Sequence, residues 1–272
     1  MRYIFLGTPE FAAIILEELI EAGFIPSVVI CNTDRPVGRK KLITPPPTKI
    51  IATERSIKVY QPPKLDVEEF KSVIGETDFA VVAAYAKIIP KAILEMPRLG
   101  TIGVHPSLLP KHRGASPIQT AILNGDAETG VALYVMDEKV DHGPVLVNKK
   151  LEIENSDTYE SLHDKLAVLS AELLIETLPG FINGEIKPQP QNETDATFTK
   201  KFEADNGFVD LEKDDSVMIW RKVRALNPEP GVWAMKNGKR MKILEVDLVD
   251  GKLVFKKIQF EGKKPEKIDV YR

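Results

Sequence analysis

The 272-residue sequence predicts an α/β fold, with a doubly wound and mostly parallel sheet followed by a small β-rich domain. Two observations carry this. Over the first half, short apolar runs alternate with segments of helical period, and strands separated by helices form parallel sheets covered on both faces. Beyond residue 199 the pattern changes to short strands around Asn237-Gly238 and Asp250-Gly251, dipeptides that suit two-residue hairpin turns. The stretch from Lys187 to Thr199 is rich in Pro, Gln, Asn and Thr and reads as a linker. The expected boundaries are a catalytic domain over 1–186, a linker over 187–205 and a C-terminal domain over 206–272.

Taken in order, Tyr3 to Leu6 is a strand and Glu10 to Ala22 a helix, with Phe11, Ile14, Ile15, Leu16 and Leu19 on a broad apolar face. Strands follow at Pro26 to Cys31 and Lys58 to Tyr60, a helix at Leu65 to Ile74, and strands at Phe79 to Ala84 and Thr101 to His105. Val131 to Met136 and Val145 to Ile153 flank the turn Asp141-His142-Gly143-Pro144 and read as an antiparallel addition at one edge. Tyr159, Leu162, Leu166, Leu169 and Leu173 recur at helical spacing, so a long helix reaches about Thr177. In the last segment, Asp210 to Ala225 contains a helix, and strands are expected at Val232 to Met235, Met241 to Val246 and Leu253 to Phe260.

With 43% hydrophobic and 28% charged residues, the chain has the composition of a globular protein that buries a core. The net charge of −3 excludes a molecule that holds nucleic acid by bulk charge, so any such contact falls to local basic patches. Cys31 is the single cysteine, which excludes an internal disulfide and fits a reducing cytoplasm. The opening residues lack a signal-peptide pattern, and no run approaches the ~20 apolar residues of a membrane helix. A cytoplasmic monomer is expected. Gly7-Thr8-Pro9-Glu10 follows the first strand but is not a dinucleotide-binding turn, because Pro9 removes an amide that would face phosphate. The four histidines show no metal-ligand spacing, so no metal is expected.

The chemistry concentrates around His105, at the carboxyl end of a strand where open α/β sheets bind ligands. After it comes Ser107-Leu108-Leu109-Pro110-Lys111-His112-Arg113-Gly114, whose prolines and glycine fix a loop able to present backbone amides. Asp141 sits in a turn after a later strand, and a carboxylate beside an imidazole makes an acid/base pair. On spacing alone, a histidine at a strand end is more often structural. The S-L-L-P-x-x-R-G run, the aspartate 36 positions beyond the histidine and the loop Tyr85-Ala86-Lys87-Ile88-Ile89-Pro90 together resemble the folate-dependent formyltransferases. The resemblance implies that His105 and Asp141 are the catalytic pair and that Ser107, Leu108, Leu109 and Pro110 line the folate site. It also implies that Tyr85, Ala86, Lys87, Ile88 and Ile89 form the pterin wall, with Ala86 where relatives usually have glycine. The co-substrate implied is 10-formyltetrahydrofolate.

Asp34-Arg35-Pro36-Val37-Gly38-Arg39-Lys40-Lys41-Leu42 resembles the loop of the branch of this family that acts on initiator methionyl-tRNA. It carries four cations within seven residues. Charge alone would favour a solvated loop, whereas the resemblance implies that Arg35, Arg39, Lys40 and Lys41 contact the acceptor arm, with Gly38 keeping the loop flexible. Val223-Arg224-Ala225-Leu226-Asn227-Pro228-Glu229-Pro230-Gly231 resembles the start of the family's C-terminal domain, which implies an OB-like β-barrel, here shortened. Fifteen Lys and Arg lie between Lys213 and Arg272, and Lys236, Lys239, Arg240, Lys242, Lys256 and Lys257 are expected to be exposed.

One position departs from the family. Gly103 stands where the family places an asparagine whose amide donates to the formyl oxygen as it becomes an oxyanion. A lost donor of this kind costs roughly 2.7–4 kcal/mol. If nothing replaces it, Gly103→Asn should fit the strand and raise turnover; if something does, the asparagine should collide with it. Two alternative functions follow from these features: an N-formyltransferase acting on a nucleotide-linked amino sugar, and a folate- or tRNA-binding homologue with weakened catalysis.

Overall fold

The computed structural model describes residues 1–38 and 40–271. The chain begins with β1 (Tyr3–Gly7), α1 (Glu10–Glu21), β2 (Val28–Ile30), β3 (Arg35–Val37), β4 (Leu42–Thr44), α2 (Pro47–Glu54) and β5 (Lys58–Tyr60). It continues through α3 (Val67–Ile74), β6 (Phe79–Ala83), α4 (Lys91–Leu94), β7 (Thr101–His105), β8 (Arg113–Gly114) and α5 (Pro117–Asn124). Then come β9 (Glu128–Val135), β10 (Val145–Glu152), α6 (Tyr159–Ile182) and β11 (Phe198–Thr199). The last elements are α7 (Ser216–Leu226), β12 (Val232–Lys236), β13 (Lys239–Val249), β14 (Lys252–Phe260) and β15 (Glu266–Tyr271). They form two compact units, one of Met1–Arg113, Gly130–Leu151 and His163–Thr197, the other of Gly114–Thr129, Glu152–Leu162 and Phe198–Arg272.

The first unit is built on a seven-stranded sheet of order β10-β9-β7-β6-β1-β2-β5. The pairs from β7 to β5 are parallel, and β9 joins β7 antiparallel. β1, β6 and β7 are buried along their whole length, which is why their sequences are continuous apolar runs. β10, at the edge, alternates. Ile4, Leu6, Val28, Ile30, Phe70 and Ile74 form the core on one face. The chain runs from β1 outward to β2 and β5, then returns to add β6 and β7 on the other side. The switch point therefore falls between β1 and β6, and the loops after β2, β6 and β7 share the carboxyl edge.

In the second unit, β12 to β15 form an antiparallel sheet in chain order. Asn237 (φ 52), Gly238 (φ 71), Asp250 (φ 50) and Gly251 (φ 75) turn left-handed at both hairpins, as their residue types require. β13 carries a bulge between Ile243 and Val246 that keeps Met241, Ile243 and Val246 facing inward. Asn227 serves that bulge: its Nδ2 donates to the Ile243 and Leu244 carbonyls at 3.0 and 3.1 Å, and its Oδ1 accepts from the Val232 amide at 3.1 Å. Buried Arg224 donates to the Asp157 and Glu154 carbonyls at 2.6 and 2.8 Å and lies 4.2 Å over the Trp220 ring.

Some elements differ from expectation. The basic segment after β2 is a hairpin rather than a flexible loop. Arg35 pairs with Thr44 and Val37 with Leu42, and Gly38 (φ 70) supplies its turn. The helices α2 and α5 start at Pro47 and Pro117; proline is tolerated in a first turn, where its missing N–H has no helical acceptor. β15 is a further strand, rich in charge because it is an exposed edge.

Both tryptophans, Trp220 and Trp233, lie in the second unit. Asn227→Ala is expected to lower the stability of this unit by about 2 kcal/mol, because two carbonyls and an amide lose their partner. Urea unfolding followed by tryptophan fluorescence measures it, and an unshifted midpoint would contradict the role given to Asn227.

Candidate active site

His105 ends β7 with its side chain 7% exposed, and its Nδ1 lies 3.5 Å from Asp141 Oδ2. The other ring nitrogen, Nε2, is 2.9 Å from the His112 carbonyl oxygen. A carbonyl only accepts, so Nε2 carries a proton and Nδ1, facing the carboxylate, is the nitrogen left to take one. The pairing was expected between two strand ends, but the register is different. β9 runs against β7 with Ile102 opposite Val135 and His105 opposite Ala132, so β9 ends beside the start of β7. Asp141 reaches His105 because the β9–β10 connection doubles back over the sheet face that carries Gly103 and His105. Gly143 allows that tight path, since any side chain there would collide with the Val135 carbonyl.

Gly103 is directly opposite Tyr134. A Cβ on Gly103 would stand 2.5 Å from Tyr134 Cε1 and Cζ and 2.8 Å from its hydroxyl oxygen. The tyrosine therefore fills the space that an asparagine side chain would need, and Gly103→Asn does not fit the strand as it stands. The Tyr134 hydroxyl donates to Asp141 Oδ1 at 2.9 Å. Burial, and then the nearby Asp141 charge, raise its pKa well above the ordinary tyrosine value, so it stays protonated.

Asp141 is held from behind as well. It adopts left-handed φ 48, which costs a residue other than glycine about 1–2 kcal/mol. Gln191 Nε2 donates to the Asp141 carbonyl at 2.9 Å and to the Gly143 carbonyl at 2.7 Å. Gln191 Oε1 in turn accepts from buried Arg113 at 2.8 and 3.1 Å, and Arg113 also forks onto Glu193 at 2.7 and 3.0 Å. Hydrogen bonding from Arg113 holds the Glu193 carboxyl below the ordinary range. The stretch read as a linker thus supplies Gln191 and Glu193 to the first unit. Neither was anticipated, and Tyr134 was hidden within an apolar run; Arg113 was visible only as a motif letter.

The residues expected to line the folate site divide by exposure. Ser107 is fully buried and its Oγ donates to the Lys111 carbonyl at 2.6 Å, holding the turn; Leu109 is buried against Ala132 and Tyr134. Leu108 and Pro110 remain partly exposed. After β6, Tyr85 and Ile89 are buried in the core, whereas Ile88 is 95% exposed at the carboxyl edge. Lys87 Nζ donates to the Pro62 carbonyl at 2.7 Å. Ala86 has φ 60, which explains why a glycine would suit that position.

Arg35, Lys40 and Lys41 are exposed on the β3–β4 hairpin, together with Val37, Leu42 and Ile43; Arg39 lies outside the described residues. The hairpin is rooted by Asp34, which accepts from Lys49 at 2.8 Å and from Gln61 at 2.8 Å; those bonds lower its pKa. In the second unit Lys236, Lys239, Arg240 and Lys242 are exposed. Lys256 and Lys257 are half-buried, and Lys256 pairs with Asp269 at 3.0 Å and Asp247 at 3.6 Å, so the expectation of free exposure fails for these two. Among the described residues, no group of three or more His, Cys, Asp and Glu could hold a metal ion, and no helix is long and apolar enough to cross a membrane.

A histidine–aspartate pair at the carboxyl edge of a doubly wound α/β sheet is an arrangement that many enzymes could use, and comparison with known proteins narrows the class. A family model described as formyl transferase matches residues 1–178, and one for the formyl transferase C-terminal domain matches 201–252. The chain belongs to the formyl transferase family. It is 41% identical to a methionyl-tRNA formyltransferase of Halalkalibacterium halodurans, covering 89% of this chain and 77% of that protein. It is 40% identical to the methionyl-tRNA formyltransferase of Myxococcus xanthus, covering 97% and 91%. The fold matches a solved methionyl-tRNA formyltransferase from Clostridium thermocellum at TM-score 0.62 and 16% identity, over 99% of this chain and 100% of that one. It also matches an N-formyltransferase from Helicobacter canadensis, solved with folinic acid and dTDP-3-aminofucose, at TM-score 0.68 and 18% identity over 99% and 100%.

Gln191→Ala frees the Asp141 turn and is expected to lower turnover about tenfold while leaving folate affinity unchanged, because small misplacements at a reacting site are costly. Steady-state kinetics beside a folate-binding titration checks this; undiminished turnover would show that the Asp141 loop holds itself.

Proposed function

We propose that this protein transfers the formyl group of 10-formyltetrahydrofolate to the amino group of methionyl-initiator-tRNA. The observation that carries the reading is the His105–Asp141 pair, set beside the S-L-L-P segment in a chain about 40% identical to methionyl-tRNA formyltransferases. Exposed Ile88 with partly exposed Leu108 and Pro110 offers an apolar edge that suits a flat pterin ring. The exposed cations of the hairpin suit the phosphates of an acceptor arm.

In the reaction the methionine nitrogen bonds to the formyl carbon and the bond from that carbon to the folate nitrogen breaks. His105 Nδ1 takes the proton that the amine loses, and Asp141 Oδ2 then accepts a hydrogen bond from the protonated ring. The departing folate nitrogen receives a proton from the same relay, so the ring is restored. The likeness to sugar N-formyltransferases is one of fold, and the cationic hairpin favours RNA over a nucleotide sugar.

His105→Ala and Asp141→Asn should each lower formyl transfer at least ~10²-fold with little change in melting temperature. Near-normal turnover in either variant would make that residue structural. The triple variant Arg35→Ala, Lys40→Ala, Lys41→Ala should raise KM for tRNA but not for folate. It should also flatten the dependence of log KM on log salt by about 2–3, one step per lost phosphate contact. Equal effects on both substrates would assign the hairpin to the fold instead.

A further inference from the structure

Acyl transfer to an amine places negative charge on the carbonyl oxygen at the moment of attack, and a site that does this well aims a fixed donor at that oxygen. Around His105 most side-chain donors are committed. The Nε2 proton of His105 goes to the His112 carbonyl, and the Ser107 hydroxyl goes to the Lys111 carbonyl. The Tyr134 hydroxyl is placed differently. Its ring covers Gly103 and packs with Leu109 and Ala132 in one buried cluster, so its position is fixed. Its one proton points at Asp141, whose other oxygen faces the proton-accepting nitrogen of His105.

We propose that Tyr134 is a catalytic residue, donating its hydroxyl hydrogen bond to the formyl oxygen as that oxygen becomes an oxyanion. The inference rests on the formyl-transfer reading. The bond to Asp141 makes the donor responsive to the reaction. Before attack, Asp141 accepts the tyrosine proton. Once His105 has taken the proton of the amine, its Nδ1–H supplies Asp141 with a second, charge-assisted partner. The carboxylate then has less need of the tyrosine, while the formyl oxygen has more. A hydroxyl turns about its C–O bond without moving its oxygen, so the donor changes acceptor and no ring has to shift. Burial keeps that proton in place at any working pH. Gly103 is part of the same device, because any side chain there would displace the ring.

Tyr134→Phe keeps the ring and removes the hydroxyl. Turnover is expected to fall about 10²-fold, with KM for folate within twofold and the melting temperature within a few degrees of the parent chain. A role confined to orienting Asp141 is separated by a second comparison. In the Asp141→Asn background, Tyr134→Phe should still cost at least about tenfold, whereas a mere orienter would cost nothing further. As a rescue, Gly103→Asn combined with Tyr134→Ala should exceed Tyr134→Ala alone by about tenfold, since the amide then occupies the vacated place. If the parent chain formylates, His105→Ala is inactive and Tyr134→Phe runs at the parent rate, the inference is overturned and the formyl-transfer reading stands. If the parent chain forms no formylated product, both fall.

Discussion

β9 pairs with β7 in a register that sets Tyr134 across from Gly103 and Ala132 across from His105, and the proposed chemistry depends on that register. Side chains alternate between the faces of a strand, so a slip of one residue would turn Tyr134 to the other face. Asp141 would lose its hydroxyl partner. The antiparallel strand is thus more than an edge extension of a parallel sheet. It supplies the tyrosine, it launches the loop that carries the aspartate, and its ring packing reaches the S-L-L-P segment through Leu109.

A second layer holds that loop in its left-handed turn. Arg113, Gln191 and Glu193 connect the segment after β7 to the chain beyond α6, and Gln191 bridges two carbonyls of the Asp141 turn. The buried guanidinium is satisfied on both sides, by an amide oxygen and by a carboxylate, as a buried charge requires.

Much of this was legible in the sequence because the signals were strong. β1, β6 and β7 are buried on both faces and read as apolar runs, while Asn237-Gly238 and Asp250-Gly251 announced their turns. His105 and Asp141 were singled out by the resemblance to the folate-dependent formyltransferases, since spacing alone favoured a structural histidine. Tyr134 was not, because a tyrosine in Val131 to Met136 looks like any core aromatic until the glycine opposite it is known. Gln191 and Glu193 were hidden by composition: a segment of Pro, Gln, Asn and Thr reads as a linker, yet here its polar side chains are spent on Arg113 and on the Asp141 turn. The β3–β4 hairpin was missed because its strands are three residues long and fully exposed, so no burial imposes a period on the sequence.

The charge pattern follows the same division of labour. A chain of net charge −3 keeps cations exposed on the hairpin and on the second unit, where Arg240 lies 4.1 Å over Trp233 while Lys256 is absorbed by Asp247 and Asp269. A single-turnover assay of the purified chain tests the proposed formyl transfer. Mixed with 10-formyltetrahydrofolate and methionyl-initiator-tRNA, the chain should yield one formylmethionyl-tRNA for each tetrahydrofolate released, and none with a nucleotide-linked amino sugar. Formylation of the sugar alone, or folate binding with no transfer to tRNA, would contradict it.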